Sequence, residues 1–369
     1  PASTATFRTI ALHADTAYTL LYTKYTAFEP GQFAFERLLA IAGDTNAGML
    51  YADRYLLKNG NSQQAPVIDY QKGSLRDDFD FGSLLFFRSS VLKQAVRAMD
   101  ADYRFAGLYD LRLRVSELAE LVHVNEYLYS EVETDIRKSG EKLFDYVDPK
   151  NRAVQIEMEA VCTAYLKRVG GYLAPDFEPV TFDAGGFEQE ASVIIPVRNR
   201  IRTIEDAIRS VLAQKTTFRF NLIIVDNHST DGTSEAIGKY TADGRVVHLV
   251  PERSDLGIGG CWNVGVHHPA CGKFAVQLDS DDVYSGPDTL QKIVDAFYEQ
   301  NCAMVVGTYR MTDFKMNEIP PGIIDHREWT LENGRNNALR INGLGAPRAF
   351  YTPVLRRINL PNTSYGEDY

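Results

Sequence analysis

Asp279, Ser280, Asp281 and Asp282 stand in a row directly after the apolar run Phe274-Ala275-Val276-Gln277-Leu278. Carboxylates at alternate positions beyond a strand end offer hard oxygen ligands to Mg²⁺ or Mn²⁺, and an ion held there grips a diphosphate. Acidic turns after strands are common, so this D-x-D gains its meaning from its surroundings. Val193 to Asn199 ends one apolar segment in polar residues, and Asp226-Asn227-His228-Ser229-Thr230-Asp231-Gly232 ends the next. If those segments are parallel neighbours, both loops open on the same sheet edge as Asp279.

The elements that must position these residues are legible from periodicity. Ser192 to Pro196 is an apolar, β-branched run that predicts a buried parallel strand. From Thr203 to Ala213 the spacing of Ile204, Ala207, Ile208, Val211 and Leu212 predicts an amphipathic helix, with Thr203 as N-cap and acids in its first turn. Leu222 to Val225 predicts a second strand and Ser234 to Lys239 a short helix, while "RVVHLV" and "KFAVQLDSDD" supply two further strands. Strands alternating with helices imply right-handed βαβ units around a mostly parallel sheet, with the ligand site outside the carboxyl ends of the strands.

Composition limits the partners. The 369 residues carry a formal charge of −10, with 44% hydrophobic and 24% charged residues, values of a folded globular chain without the broad basic face that nucleic acid needs. Cys162, Cys261, Cys271 and Cys302 show no C-x-x-C spacing and read as reduced and intracellular. No apolar stretch approaches the ~20 residues of a membrane span, so the expectation is a cytoplasmic protein, peripheral at most to the inner face of a plasma membrane.

Upstream, Asn151 to Val169 predicts a connecting helix closed by Gly170-Gly171, and the Pro- and Gly-rich stretch from Pro175 to Gly186 predicts a domain boundary. An internal repeat also emerges. "YTLLYTKYTAFEPG" from Tyr18 parallels "AVQLDSDDVYSGPD" from Ala275, "AGMLYAD" parallels "CAMVVGT", and "FGSLLFFRSSVLK" parallels "LGAPRAFYTPVLR", pairing Phe87 with Phe350. "GLYDLRLR" then parallels "YGEDY", pairing Asp110 with Asp368. The first copy has too few residues ahead of its strand for a nucleotide-binding half, and the second stops where the first continues, so the chain is expected to be a piece of a longer protein.

The ordered set "SVIIPVRNR…IEDAIRSVLAQ…LIIVDNHSTDGT…GIGGCWNVG…QLDSDD…GED" resembles a family 2 glycosyltransferase with the GT-A fold, over Ala191 to Tyr369. The resemblance implies an α/β, Rossmann-like nucleotide-diphospho-sugar transferase domain over 186–369. A partial, degenerate GT-A-like domain over 1–145 and a helical connector over 146–185 would precede it. It further implies an inverting transferase of polysaccharide biosynthesis. Such an enzyme takes a sugar from a nucleotide-diphosphate sugar, a UDP-sugar, with a divalent metal (Mn²⁺ or Mg²⁺), and passes it to a glycan or lipid-linked acceptor. By resemblance Pro196, Val197, Arg198, Asn199 and Asp226 line the nucleobase pocket, and Asn263, Asp279 and Ser280 complete the donor site. Asp281 and Asp279 hold the metal, while Asp368, with Glu367 beside it, is the general base.

The chain departs from the family pattern at Asn227, where Asp is usual, and at Cys261-Trp262-Asn263, where A-R-N is frequent. In the first copy Tyr22 and Lys24 align with Asp279 and Asp281, a phenol and a cation that do not bind a hard metal. Two other readings share some features: a non-catalytic nucleotide-sugar or glycan-binding scaffold, and a nucleotidyltransferase. The latter would carry a glycine-rich phosphate loop where "PVRNRIRT" has none.

Overall fold

The computed structural model describes residues 2–58, 60–133, 151–183, 185–326, 329–341 and 347–364. The chain divides into two compact units, Pro1–Pro175 with Glu328–Ile341, and Asp176–Arg327 with Asn342–Tyr369.

Unit 1 runs α1 (Thr4–His13), β1 (Tyr18–Tyr22), β2 (Phe28–Pro30), α2 (Ala34–Thr45), β3 (Met49–Lys58), β4 (Asn61–Ala65), β5 (Leu84–Arg88), α3 (Ser89–Arg97), α4 (Gly107–Leu118), β6 (Leu121–Val132) and α5 (Arg152–Val169). Its sheet has the order β1-β5-β3-β6-β2, with β4 paired to β3. Met49, Leu85 and Phe87 on one face pack with Phe7 of α1 and with Leu92 and Val96 of α3. Leu50, Leu84 and Phe86 on the other meet Leu38 and Ala42 of α2. The helix α5 ends at Gly170, whose left-handed φ of 76° suits glycine. Its face of Val161, Cys162, Tyr165 and Leu166 packs on Tyr109 and Leu113 of α4, so this segment is part of the core of unit 1.

Unit 2 runs β7 (Ala191–Val197), α6 (Ile204–Leu212), β8 (Phe220–Asp226), α7 (Thr233–Gly238), β9 (Val246–Leu249), α8 (Ile258–His267), β10 (Phe274–Gln277), α9 (Thr289–Gln300), β11 (Met304–Val306), β12 (Tyr309–Thr312), β13 (Glu318–Ile324), β14 (Arg348–Tyr351) and α11 (Thr352–Ile358). The short α10 (Gly334–Asn337) falls between β13 and β14 in sequence but belongs to unit 1. The main sheet has the order β11-β14-β10-β7-β8-β9, and β12-β13 form a separate hairpin. Strands β10, β7, β8 and β9 are parallel, whereas β14 is antiparallel to both of its neighbours.

The apolar runs read from the sequence are buried on both faces. Val193, Ile195, Leu222, Ile224 and Val276 face Ile204, Ala207, Ile208 and Val211 of α6. Ile194, Ile223, Val225 and Ala275 face Trp262 and Val266 of α8 and Leu355 of α11. Each fully buried Val or Ile contributes roughly 1.5–3 kcal/mol, and together they fix β7, flanked by β10 and β8, in the interior of the sheet. Gly265 is required where α8 crosses β7, because a Cβ there would lie 2.6 Å from Ile194 Cγ2. Thr203 occupies the N-cap of α6 but makes no side-chain capping bond; the first-turn acids Glu205 and Asp206 complement the helix end instead.

The two sheets share a sub-order. In unit 1 β5 lies between β1 and β3, antiparallel to both, as β14 lies between β10 and β11. Helix α1 precedes β1 as α8 precedes β10, and α3 follows β5 as α11 follows β14.

Candidate functional site

Because β7, β8 and β10 are parallel, their carboxyl ends open on one edge, and Val197 is paired with Asp226 at its centre. The loop after β7 is stitched to the loop after β8 by backbone donors. Asn199 N–H donates to Ser229 Oγ at 3.0 Å, and Thr230 N–H donates to Asn199 Oδ1 at 2.8 Å. Arg200 N–H donates to Thr233 Oγ1 at 2.9 Å and Ile201 N–H to Asp231 Oδ2 at 3.1 Å. Asn199 adopts a φ of 55°, a left-handed turn that Asn tolerates. Pro196 and Val197 are buried, whereas Arg198 and Asn199 are exposed on the loop.

Asp226 is fully buried. Its Oδ1 accepts Ser229 N–H at 3.0 Å, and its Oδ2 accepts the Ser234 hydroxyl and faces His248 Nε2 at 3.4 Å. Burial opposes its charge, but the bonds from Ser234, Ser229 and His248 outweigh that and hold the carboxyl below the usual range. Both oxygens are therefore engaged in fixing the loop. Neither Ser234 nor His248 was marked by any motif.

Asn263 has a task different from the expected donor contact. Its Nδ2 donates to the Leu360 carbonyl at 2.7 Å and its Oδ1 accepts Leu360 N–H at 2.9 Å. The amide is spent on the main chain after α11, where Asn362 Oδ1 also accepts Gly257 N–H at 2.8 Å. This strap leads toward Glu367 and Asp368, which lie outside the described residues.

Beyond β10, Ser280 is buried, Asp279 is half-buried, and Asp281 and Asp282 are exposed. Asp282 N–H closes a turn onto the Asp279 carbonyl at 3.1 Å, which crowds the acids together. Desolvation first, and then the charges of Asp279 and Asp281, push the Asp282 carboxyl up to about 6. Arg200 Nε stands 3.8 Å from Asp281 Oδ2, linking the β7 loop to the acidic turn. A basic residue next to the P-V-R-N segment was the available signal for it. Among the described residues no group of three or more His, Cys, Asp or Glu could hold a metal ion by itself. The mutual repulsion of the acids fits a divalent cation whose remaining ligands come from a diphosphate, as Mg²⁺ is commonly bound by one or two carboxylates plus substrate phosphates.

Unit 1 carries different chemistry past the end of β1. Its strand register puts Thr19 opposite Phe87, as Ala275 is opposite Phe350. The expected alignment of Tyr22 and Lys24 with the two acids therefore shifts by one residue, to Thr23 and Tyr25. Neither is a carboxylate. Lys24 Nζ instead donates to Glu131 Oε1 at 2.9 Å, which also accepts Arg54 Nε at 2.9 Å. Asp110, the counterpart of Asp368 in the repeat, is buried and accepts Arg114 Nε at 2.9 Å.

Residues 192–357 match Glycosyl transferase family 2. An uncharacterised glycosyltransferase of Rickettsia conorii is 38% identical over 97 residues, 26% of this chain and 15% of that protein. The putative teichuronic acid biosynthesis glycosyltransferase TuaG of Bacillus subtilis is 33% identical over 120 residues, 32% of this chain and 46% of that protein. This chain thus spans less than half of either relative. The crystal structure of S. aureus TarS 1–349 is 26% identical, with 48% of this chain and 52% of that chain covered and a TM-score of 0.39. Among the described residues no helix is long and apolar enough to cross a membrane. The segment that carries the two stitched loops and the acidic turn is the one that matches glycosyl transferase family 2.

Proposed function

We propose that unit 2 binds a nucleotide-diphosphate sugar, a UDP-sugar, and transfers the sugar with inversion to a hydroxyl of a glycan or lipid-linked acceptor. The observation that carries this reading is the single sheet edge on which the stitched β7 and β8 loops meet Asp279 to Asp282. In this reading Pro196 to Asn199 and Asp226 shape the nucleobase pocket. Asp279 and Ser280 lie along the ribose and diphosphate, with Arg200 as a further cation beside them. Asp281 and Asp279 would hold Mn²⁺ or Mg²⁺, which offsets the charge growing on the leaving diphosphate. Asp368, flanked by Glu367, takes the proton of the acceptor hydroxyl from within ~3 Å. The acceptor oxygen then bonds to the anomeric carbon from the side opposite the diphosphate. The carbon–oxygen bond to the diphosphate breaks, and the nucleotide diphosphate leaves with the electron pair.

The name of TuaG speaks of teichuronic acid biosynthesis, which supports a polysaccharide product; in this reading it is made in the cytoplasm or at the inner face of the plasma membrane. Unit 1 is proposed as a partial, degenerate copy of the same domain. The test is release of UDP from a panel of UDP-sugars with an added glycan acceptor mixture. Release that falls by 10²-fold or more in Asp368→Asn, with UDP binding intact, supports the reading. Binding without release for any sugar favours the scaffold.

A further inference from the structure

We propose that Arg202, seated on the ring of Phe314, recognises an anionic group of the acceptor, a carboxylate or a phosphate, so that the acceptor is a charged glycan. The assignment to an acceptor rests on the transferase reading, whereas the anion site itself rests on the geometry of unit 2.

Three exposed arginines alternate along the loop after β7: Arg198, Arg200 and Arg202. They diverge from one another. The charge of Arg198 acts on the Cys261 thiol of α8, and Arg200 faces Asp281 of the acidic turn at 3.8 Å. Arg202 Cζ instead stands over the Phe314 ring, 5.3 Å from its centroid, within the range of a cation–π contact. Among the described residues Arg202 makes neither an ion pair nor a hydrogen bond. A guanidinium stacked on an aromatic face keeps its planar fork of N–H donors at the rim, and that fork takes a carboxylate or phosphate through two parallel bonds.

The fold accounts for the place of Phe314. Strand β14 is antiparallel to both β10 and β11, so β11 ends on the same edge as β10. The chain leaves that edge at Gly307, where a Cβ would lie 2.6 Å from Pro347 Cγ, and enters the β12–β13 hairpin. In the sheet order β11-β14-β10-β7, the hairpin root and the β7 loop are three strand spacings apart, about 14 Å. Contact between Phe314 and Arg202 therefore carries the hairpin past the end of β10, where the acidic turn lies. Asp313 fixes the tip. Its Oδ1 accepts Lys315 N–H at 2.8 Å and Asn317 N–H at 2.9 Å, and its Oδ2 accepts Asn317 Nδ2 at 3.0 Å. Phe314 is 77% exposed, so the stacked pair faces solvent.

The divergence of the arginines assigns the anion. With the nucleobase at the β7 and β8 loops and the diphosphate at the acidic turn, Arg200 serves the donor. Arg202 is directed to the hairpin, beyond the diphosphate, and the remaining ligand of the reaction is the acceptor. Phe314 is a positioning residue, acting through the guanidinium it carries.

The test measures UDP release by the full chain with acceptor oligomers of matched length: a neutral glucan, an oligogalacturonide bearing carboxylates, and a glycerol phosphate oligomer. The expected KM is lower by about tenfold or more for a charged oligomer than for the glucan, and the better of the two identifies the anion. In Arg202→Gln that preference falls to within about twofold of unity, and Arg202→Lys restores it only in part, because an ammonium lacks the planar fork. Phe314→Leu keeps the bulk without the π face and weakens the preference about threefold, while Phe314→Trp retains it. A merely structural hairpin would not sort these variants by acceptor charge. Isothermal titration of the same oligomers without donor decides the matter even if no UDP is released. Charged and neutral oligomers bound alike, or a preference that survives Arg202→Gln, would overturn the proposal. So would a loss of UDP affinity in Arg202→Gln equal to that in Arg200→Ala, since Arg202 would then belong to the donor. Selective, Arg202-dependent binding of a charged oligomer with no UDP release from any sugar would sustain the anion site and overturn the transferase reading alone.

Discussion

Arg200 Nε stands 3.8 Å from Asp281 Oδ2, with both side chains about half exposed. An exposed pair at that distance contributes about 0–1 kcal/mol, so its value to the fold is small. Its place is informative, because it puts a guanidinium beside the carboxylate proposed to share a cation with a diphosphate. Arg200→Ala is expected to change the free energy of unfolding by less than about 0.5 kcal/mol. It should also weaken UDP binding in the presence of Mn²⁺ by about tenfold, roughly 1.4 kcal/mol. Isothermal titration checks the second figure, and an unchanged UDP affinity would remove Arg200 from the site.

The acidic turn should make cation binding pH-dependent. Asp282 is raised to about 6 from ~3.9 in an unfolded chain. A raised carboxyl contributes stability that is fully present below the unfolded value and is lost as pH rises through 6. Above pH 6 the turn carries its full charge and repels itself, and a divalent cation relieves that repulsion. Stabilisation of the chain by Mn²⁺ is therefore expected to grow between pH 5 and pH 7 and to level off above. In Asp282→Asn that pH dependence should flatten. Thermal melts across the range decide it.

The buried carboxylate of Asp226 is a separate case, because hydrogen bonds hold it below the usual range. A depressed carboxyl gives stability that is present above the unfolded value and is lost as pH falls through the folded one. Asp226→Asn keeps the shape but places an NH₂ against two donors, Ser234 and His248. The expected cost is about 2–3 kcal/mol, measured by urea unfolding, with weaker UDP binding as the loop loosens. A cost under ~0.5 kcal/mol would mean that the loop does not depend on this residue.

In unit 1, Glu131 is fully buried and accepts both Lys24 and Arg54. Glu131→Gln leaves two cations around a neutral amide, and breaking a buried pair typically costs about 3–5 kcal/mol. Unit 1 should lose that much stability in chemical denaturation. A near-neutral result would show the cluster to be solvated.

Much of unit 2 was legible because its central strands are buried on both faces. Runs such as Val193 to Val197 and Leu222 to Val225 have little alternative, and the i, i+3, i+4 spacing of Ile204, Ala207 and Ile208 fixes the face of α6. The proposed repeat finds its support where strands carry large side chains. Met49 lies opposite Phe87 and Met304 opposite Phe350, the residues that the alignment equates. It slipped by one at β1, whose residues are half-buried to exposed on both faces. A one-residue shift there exchanges no buried face for an exposed one, so hydrophobic pattern does not pin the register. The task of Asn263 was not legible, because its partner is the main chain of Leu360, far along the sequence. The strand β9 was read from "RVVHLV", but the approach of His248 to Asp226 depends on β9 pairing beside β8, which no local motif announces.

The most direct measurement of the central claim is a thermal-shift titration of the full chain with UDP and then GDP, with and without Mn²⁺, repeated on Asp281→Ala. Ligand at 100 times its Kd stabilises by about 2.7 kcal/mol, a shift of several degrees for a domain of this size. The account predicts a shift with UDP that requires Mn²⁺ and disappears in Asp281→Ala. No shift with either nucleotide, or one indifferent to both Mn²⁺ and Asp281, would contradict it.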